Sequence, residues 1–281
     1  MLLFPPAKIN IGLHILRKRP DNYHDLELSF FELPFLCDVL EISPSSQDEF
    51  LCEGIGIAGP PQENLVVKAL KSLRGTYASR LPRENTCRLH LLKNIPAGSG
   101  LGGGSADAAY TLKGLEQFLH AGISREELHE TAARIGSDCA FFLQGRACIG
   151  QGRGEQLHPL PPRHRENVHI LVLVPQLAIS TAEAYRDCHP QEGRPPLIDL
   201  LAQDMQDWKK LIGNDFEKSL FPKFPVLARI KQALYDAGAF YASLSGSGSA
   251  LFGLFKQEAD YQALAEFQDR CFFSEGDIAI P

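Results

Sequence analysis

Five glycines fall within seven residues at Gly98, Gly100, Gly102, Gly103 and Gly104, and Ser105 follows them directly. Without a Cβ, glycine lets the backbone take positive φ and come close to a ligand. A helix starting just behind such a stretch turns unpaired N–H groups and a positive dipole end toward an anion. The run Pro96-Ala97-Gly98-Ser99-Gly100-Leu101-Gly102-Gly103-Gly104-Ser105-Ala106 therefore reads as a phosphate cradle. A Walker loop needs lysine and then serine or threonine right after its last glycine, and Ser105-Ala106 stand there instead, so that reading fails. Gly98, Gly100 and Gly103 do satisfy GxGxxG. A dinucleotide-binding unit, however, also needs a second strand ending in an acid about twenty residues on, whereas Ser124-Arg125-Glu126-Glu127 is a capping box that opens another helix. A dinucleotide-dependent oxidoreductase ranks second. A β-branched side chain at Gly103 is expected to abolish phosphate binding without unfolding the chain.

Other residues carry chemistry less decisively. Lys8, Asn10, Gly12 and His14 share one phase of an alternating stretch, a row that suits either a site or a solvated face. Tyr23 and His24 leave a turn-rich hairpin connection; such a pair could stack on and hydrogen-bond a flat heterocycle, or pack across strands. Asp138 precedes an apolar run, where a helix cap is the ordinary role. Residues 243–249, Ser-Leu-Ser-Gly-Ser-Gly-Ser, gather backbone N–H groups and hydroxyls into a second anion nest or a plain hairpin turn.

The elements that must hold these residues follow from periodicity. Residues 7–16 form a half-buried strand, 25–33 and 38–42 two more, and 86–95 an alternating strand leading into the glycines. Ser105 is the expected N-cap of a helix whose buried face is Ala108, Leu112, Leu115 and Leu119. Asn64 caps a helix over 63–73, and Gly136 ends the helix that Ser124 opens. Residues 145–157 are glycine-punctuated strand and turn, 168–174 a buried strand, 188–199 a surface loop and 225–238 a helix. The proline-rich, charged stretch 160–167 divides domains at 1–160 and 161–281.

At 281 residues, with 44% hydrophobic and 22% charged residues, the chain has the makeup of a globular protein with substantial cores. A net charge of -6 argues against a general nucleic-acid or anionic-membrane surface, and no apolar run approaches a membrane span. The start, MLLFPPAK, has no secretory character. Seven scattered cysteines without a CxxC pair suggest neither a disulfide framework nor a zinc site, and fit buried thiols in a reducing cytoplasm.

Three stretches in order, PAKIN at 6–10, PAGSGLGGGSADAA at 96–109 and SLSGSGSALF at 243–252, resemble the three motifs of the GHMP kinases, small-molecule kinases unrelated to P-loop enzymes. The DNYH at 21–24, ENLVVKA at 63–69 and GSDCAFF at 136–142 are similar to the subgroup acting on a cytidine diphosphate derivative of methylerythritol. That resemblance implies a two-domain α/β fold of the α+β type, with the active site in the cleft between the domains. It implies ATP and Mg²⁺ as cofactors and a small-molecule acceptor, with neither nucleic acid nor membrane as partner. Asp138 would be the base for the acceptor's C2 hydroxyl, and Lys8 the cation that keeps it ionised and steadies the alkoxide. Residues 96–106 and Asn64 would bind ATP, with Ser105 beside the metal. Asn10, Tyr23, His24, Thr181, Tyr185, Ser245 and Gly246 would hold the acceptor, Tyr185 stacking on the cytosine from the other side. Mevalonate- or homoserine-type kinases of the same family are the alternative. Asn22, Ser99 and the pair Cys139-Ala140 depart from the subgroup's usual residues.

Overall fold

The period-2 stretches become strands and the 3.6-period stretches helices. A computed structural model describes residues 1–56, 59–81 and 85–281. In chain order the strands are β1 (Leu2–Leu3), β2 (Pro6–Ile9), β3 (Leu13–Lys18), β4 (His24–Cys37), β5 (Val39–Pro44), β6 (Glu49–Gly54), β7 (Cys87–Lys93), β8 (Cys148–Gly152), β9 (Gln156–Pro159), β10 (Glu166–Pro175), β11 (Tyr241–Leu244), β12 (Leu251–Phe255) and β13 (Cys271–Ile280). The helices are α1 (Leu65–Thr76), α2 (Gly103–Leu119), α3 (Arg125–Ile135), α4 (Cys139–Gln144), α5 (Thr181–Arg186), α6 (Leu197–Leu201), α7 (Trp208–Leu211), α8 (Phe216–Leu220) and α9 (Pro225–Asp236).

Two units hold these elements. One comprises Met1–Ala7, Leu36–Ala97 and Gly102–Arg146, the other Lys8–Phe35, Gly98–Leu101 and Ala147–Pro281. The glycine stretch is thus itself shared out, its middle residues counting with the second unit.

In the first unit β5 and β7 pair antiparallel and β6 joins β7 in parallel, in the sheet order β1-β5-β7-β6. The face of α2 predicted from spacing, Ala108, Leu112, Leu115 and Leu119, is buried there. It packs with Val66, Ala69 and Leu73 of α1 and with Leu40, Ile42, Leu89 and Leu91 of the sheet. Two predicted caps are in place. Asn64 accepts a bond from the Val66 N–H at 2.9 Å, and Ser124 and Glu127 exchange both bonds of a capping box, which together satisfy N–H groups a bare helix start leaves open.

In the second unit β2, β4, β8 and β9 form one sheet, with β3 also on β4, and β11-β12-β10-β13 form another. β10 is buried from Ile170 to Leu173, as its unbroken apolar run requires.

Four expectations change. Residues 7–16 are not half-buried: Lys8, Asn10 and His14 are as enclosed as Ile9 and Ile11. The stretch also breaks into β2 and β3 at Gly12, whose φ of +89° only glycine adopts freely. Ser105 is not the N-cap of α2. The cap lies three residues earlier at Gly102, left-handed at φ +72°, and supplies no side-chain oxygen to the N–H groups of the first turn. Gly136 does end α3, but at φ -172° it is extended and not the left-handed C′ residue expected. Residues 25–33 are part of the longer β4, which runs through Pro34. The cysteines are all free, and Cys87, Cys139 and Cys148 are buried while Cys52 is exposed.

Candidate active site

The glycine stretch alternates left-handed and ordinary backbone: Gly98, Gly100 and Gly102 have φ of +66°, +82° and +72°. Each glycine does a different job. A Cβ on Gly98 would meet nothing within 4 Å, and one on Gly104 only Leu65 Cδ1 at 3.6 Å, so both leave open space beside exposed backbone. A Cβ on Gly100 would sit 2.1 Å from the Ser245 carbonyl oxygen, a backbone approach no side chain permits. A Cβ on Gly103 would lie 2.9 Å from Ile95 Cγ2 and 3.2 Å from Lys93 Nζ. Gly103 is therefore a packing constraint as well as a loop residue, and substitution there strains the fold, contrary to the expectation from sequence. Leu101 and Ala106 are fully buried, so only their backbone is available to a ligand. Ser105 lies in the first turn of α2, partly exposed.

The second glycine turn is a hairpin turn between β11 and β12, closed by Ser245 N–H to Ala250 O at 2.9 Å. It is more than that. Ser245 Oγ donates to Gly100 O at 3.0 Å, and Ala250 N–H donates to Ser99 O at 2.8 Å, so this turn grips the middle of the first glycine stretch. Beside them Lys8 N–H donates to Leu101 O at 2.8 Å, and Lys8 Nζ donates to Asn10 Oδ1 at 2.7 Å. Asn10 is held in turn by its bond to Ser29 O at 2.7 Å. A Cβ on Gly246 would meet Lys8 Nζ at 3.3 Å and Asn10 Oδ1 at 3.5 Å. Lys8, Asn10, Gly100, Ser245 and Gly246, more than two hundred residues apart at the extremes, thus form one cluster around a buried ammonium.

In the first unit Asp138 occupies the cap position of α4 at φ -80° and ψ -13°, and its side chain makes no capping bond. The ordinary role of an acid before an apolar run does not account for it. Ser105 Oγ lies near Gly136, 3.7 Å from where a Cβ would be, which brings the first turn of α2 to the α3–α4 junction that carries Asp138. At the start of α1, Asn64 lines an open hollow with Phe50, Cys52, Gly54, Pro60 and Glu63.

The aromatic pair is more specific than a packing motif. Tyr23 is 55% exposed, with the Arg153 guanidinium 5.0 Å from its ring centroid. Asn22 takes φ +66°, the left-handed value that asparagine tolerates, and this turns the chain into Tyr23. His24 stacks on Tyr185 at 4.8 Å between centroids and 14° between planes, while the edge of Tyr185 meets Phe216. Burial, and secondarily the charge of Lys18, hold the His24 pKa below the ordinary histidine value. No base fits between His24 and Tyr185 as they stand, since a sandwiched ring needs about 3.5 Å on each face. Thr181 is exposed at the first turn of α5 behind the cap Ser180.

Among the described residues no group of three His, Cys, Asp or Glu side chains is placed to hold a metal. Magnesium in nucleotide sites takes one or two protein oxygens and fills the rest from phosphates and water, so the partly exposed Ser105 hydroxyl in the first turn of α2 fits that role and a larger protein cage is not needed. Sequence reasoning missed Lys93, which sits on the inward phase of the alternating run at 86–95 with Cys87, Leu89 and Leu91. That phase was the available signal, since a lysine among buried residues demands partners.

The family described as GHMP kinases N terminal domain matches residues 64–146, and GHMP kinases C terminal matches 197–271. A 4-diphosphocytidyl-2-C-methyl-D-erythritol kinase from Parabacteroides distasonis is 41% identical over 279 residues, 99% of this chain and 100% of the relative. A crystal structure of 4-(cytidine 5'-diphospho)-2C-methyl-D-erythritol kinase superposes with a TM-score of 0.83 at 30% identity, covering 100% of both chains. The homoserine kinase of Cytophaga hutchinsonii superposes with a TM-score of 0.71 at 16% identity, covering 100% of this chain and 94% of that one, which speaks for the fold alone.

Proposed function

This chain belongs to the GHMP kinase family, and we propose that it transfers the γ-phosphoryl group of ATP to the C2 hydroxyl of 4-diphosphocytidyl-2-C-methyl-D-erythritol, a step of non-mevalonate isoprenoid precursor synthesis. The observation that carries the substrate is the near full-length identity to a kinase of that name, together with an exposed tyrosine and a neutral-leaning histidine at a hairpin exit. The family's two domains fall at 1–160 and 161–281, each containing one of the two family matches. Among the described residues no helix is long and apolar enough to cross a membrane, and a cytoplasmic location is part of the proposal.

Phosphoryl transfer needs little covalent chemistry and much positioning and charge stabilisation. Residues 96–106 surround the donor phosphates, with the open backbone at Gly98 and Gly104 facing them and the N-terminus of α2 aimed at their charge. Asn64 and its hollow take the nucleotide's base. Asp138 accepts the hydroxyl proton. A carboxylate is a weak base for an alcohol, so the proton leaves late, once bond change at phosphorus has made the oxygen acidic. Lys8, fixed by Asn10, stabilises the oxygen as its charge develops. The Ser105 hydroxyl would hold a magnesium ion together with the phosphates, and that ion would supply further neutralisation of phosphate charge. Asn10, Tyr23, His24, Thr181, Tyr185, Ser245 and Gly246 hold the acceptor. ADP release measured in parallel with the cytidine diphosphate substrate, mevalonate and homoserine tests the whole reading. Turnover with the first alone is expected, and turnover only with mevalonate or homoserine would reassign the acceptor.

A further inference from the structure

Three charged side chains lie buried in the first unit and take no part in the chemistry just described. Lys93, Asp38 and Asp107 are 2%, 0% and 2% exposed. They come from three places around the glycine stretch: the end of β7, the junction of β4 with β5, and the second turn of α2. Lys93 Nζ donates to Asp107 Oδ2 at 2.7 Å and to Asp38 Oδ2. The other oxygen of Asp38 accepts the backbone N–H groups of Asn94 and Ile95 at 2.6 and 2.9 Å. Asp38 therefore fixes the chain entering the phosphate loop, Asp107 fixes the helix leaving it, and Lys93 ties the two together.

We infer that Lys93 and Asp107 are positioning residues for the phosphoryl donor, an ionic strut that holds the first turn of α2 at the distance from β7 where its N–H groups meet the phosphates. This rests on the donor-site reading above. Stability alone does not explain the cluster. Burying each ion costs several kcal/mol, and well-packed apolar residues do as well or better. Two carboxylates surround one ammonium, and Asp107 Oδ1 is buried without a partner, a poor arrangement for a purely structural core. What the ions add is directional placement where packing is already at its limit: Gly103, the first residue of α2, leaves only 3.2 Å between a Cβ position and Lys93 Nζ. Burial first, then the neighbouring Asp38, push the Asp107 carboxyl above the ordinary range, although Lys93 opposes this.

The test compares wild type, Asp107→Asn and Lys93→Met by thermal unfolding, by ATP affinity without acceptor, and by kcat and both KM values. Asp107→Asn keeps shape and a hydrogen bond while weakening a charge-assisted one, so ATP affinity is expected to fall roughly ten-fold, with acceptor KM unchanged. A folded Asp107→Asn protein with unchanged ATP affinity, or with donor and acceptor KM raised alike, overturns the inference. If Lys93→Met does not fold, Asp107→Asn alone decides. Wild type that binds no ATP would refute the donor site itself, a result separable from failure of the strut.

Discussion

At the scale of single residues, the proposed roles of Asp138 and Lys8 separate cleanly in kinetics. Asp138→Asn should lower kcat roughly 10²–10⁴-fold, the span of a lost general base, with ATP affinity nearly unchanged; full activity in that variant would remove Asp138 from the mechanism. Tyr23 offers its ring to solvent, and stacking on a base is worth about 1–3 kcal/mol, so Tyr23→Ala should raise acceptor KM about five- to 150-fold. In the proposed site His24 reads an edge, not a face. A uridine analogue, with donor and acceptor exchanged, should be a poor acceptor, and His24→Ala should narrow the gap; equal use of both nucleotides by wild type would refute base readout. Because burial lowers the His24 pKa, the imidazole stays neutral as pH falls through the ordinary histidine value. Acceptor KM should therefore remain flat there and rise only at lower pH, which a pH profile of kcat/KM at saturating ATP checks. These residues were visible in the sequence because each stands in a short run with its neighbours. Their company was not: the bond from Lys8 to Asn10 is local, but the turn at Ser245 that closes on the same cluster lies far along the chain.

At the scale of elements, the glycine stretch predicts opposite behaviour at adjacent positions. Gly104→Ala meets only Leu65 Cδ1 at 3.6 Å, so its unfolding temperature should hold while ATP affinity falls. Gly103→Val forces a branched side chain against Ile95 and Lys93 and should cost about 1–3 kcal/mol of stability, as overpacked cores do, alongside any loss of binding. Thermal melts with and without ATP distinguish the two, and a Gly103→Val protein as stable as wild type would show that the first turn of α2 has room to move. Helix faces, the Asn64 cap and the capping box at Ser124 were legible because local spacing determines them. The start of α2 was not, since a serine after glycines is a good cap by propensity, whereas Gly102 can turn left-handed three residues earlier. Likewise β13 carries Gly276 in mid-strand, where a Cβ would lie 2.4 Å from the Phe35 ring; a close contact from a distant strand leaves no periodic trace.

At the scale of the whole molecule, each unit encloses charge as well as hydrocarbon. In the second unit Asp215 accepts from Arg194 at 2.7 and 2.8 Å and from the Ile15 N–H at 2.9 Å. Burial raises its pKa, but these bonds more than offset that and leave it below the ordinary aspartate value. A carboxylate depressed in the folded state contributes stability that is present above about pH 4 and disappears as pH falls through its folded pKa. Asp215→Asn leaves the partly buried Arg194 without its counter-charge and should cost about 1.5–3 kcal/mol at neutral pH, the scale of hydrogen bonds between charged groups. It should also flatten the acid limb of a stability-against-pH curve measured by urea unfolding. An unchanged acid limb would move the origin of acid sensitivity to other carboxylates.

The hairpin turn that closes on Gly100 also limits how this protein can change over generations. With the Ser245 carbonyl oxygen 2.1 Å from the place of a Cβ at residue 100, no inherited substitution at that position is neutral. Gly246, left-handed at φ +55° and hemmed by Lys8 and Asn10, is confined with it. A complete single-substitution library selected for growth should show both positions intolerant of every other residue. Variants that alter acceptor preference should collect instead around Tyr23 and Thr181, where side chains face open space.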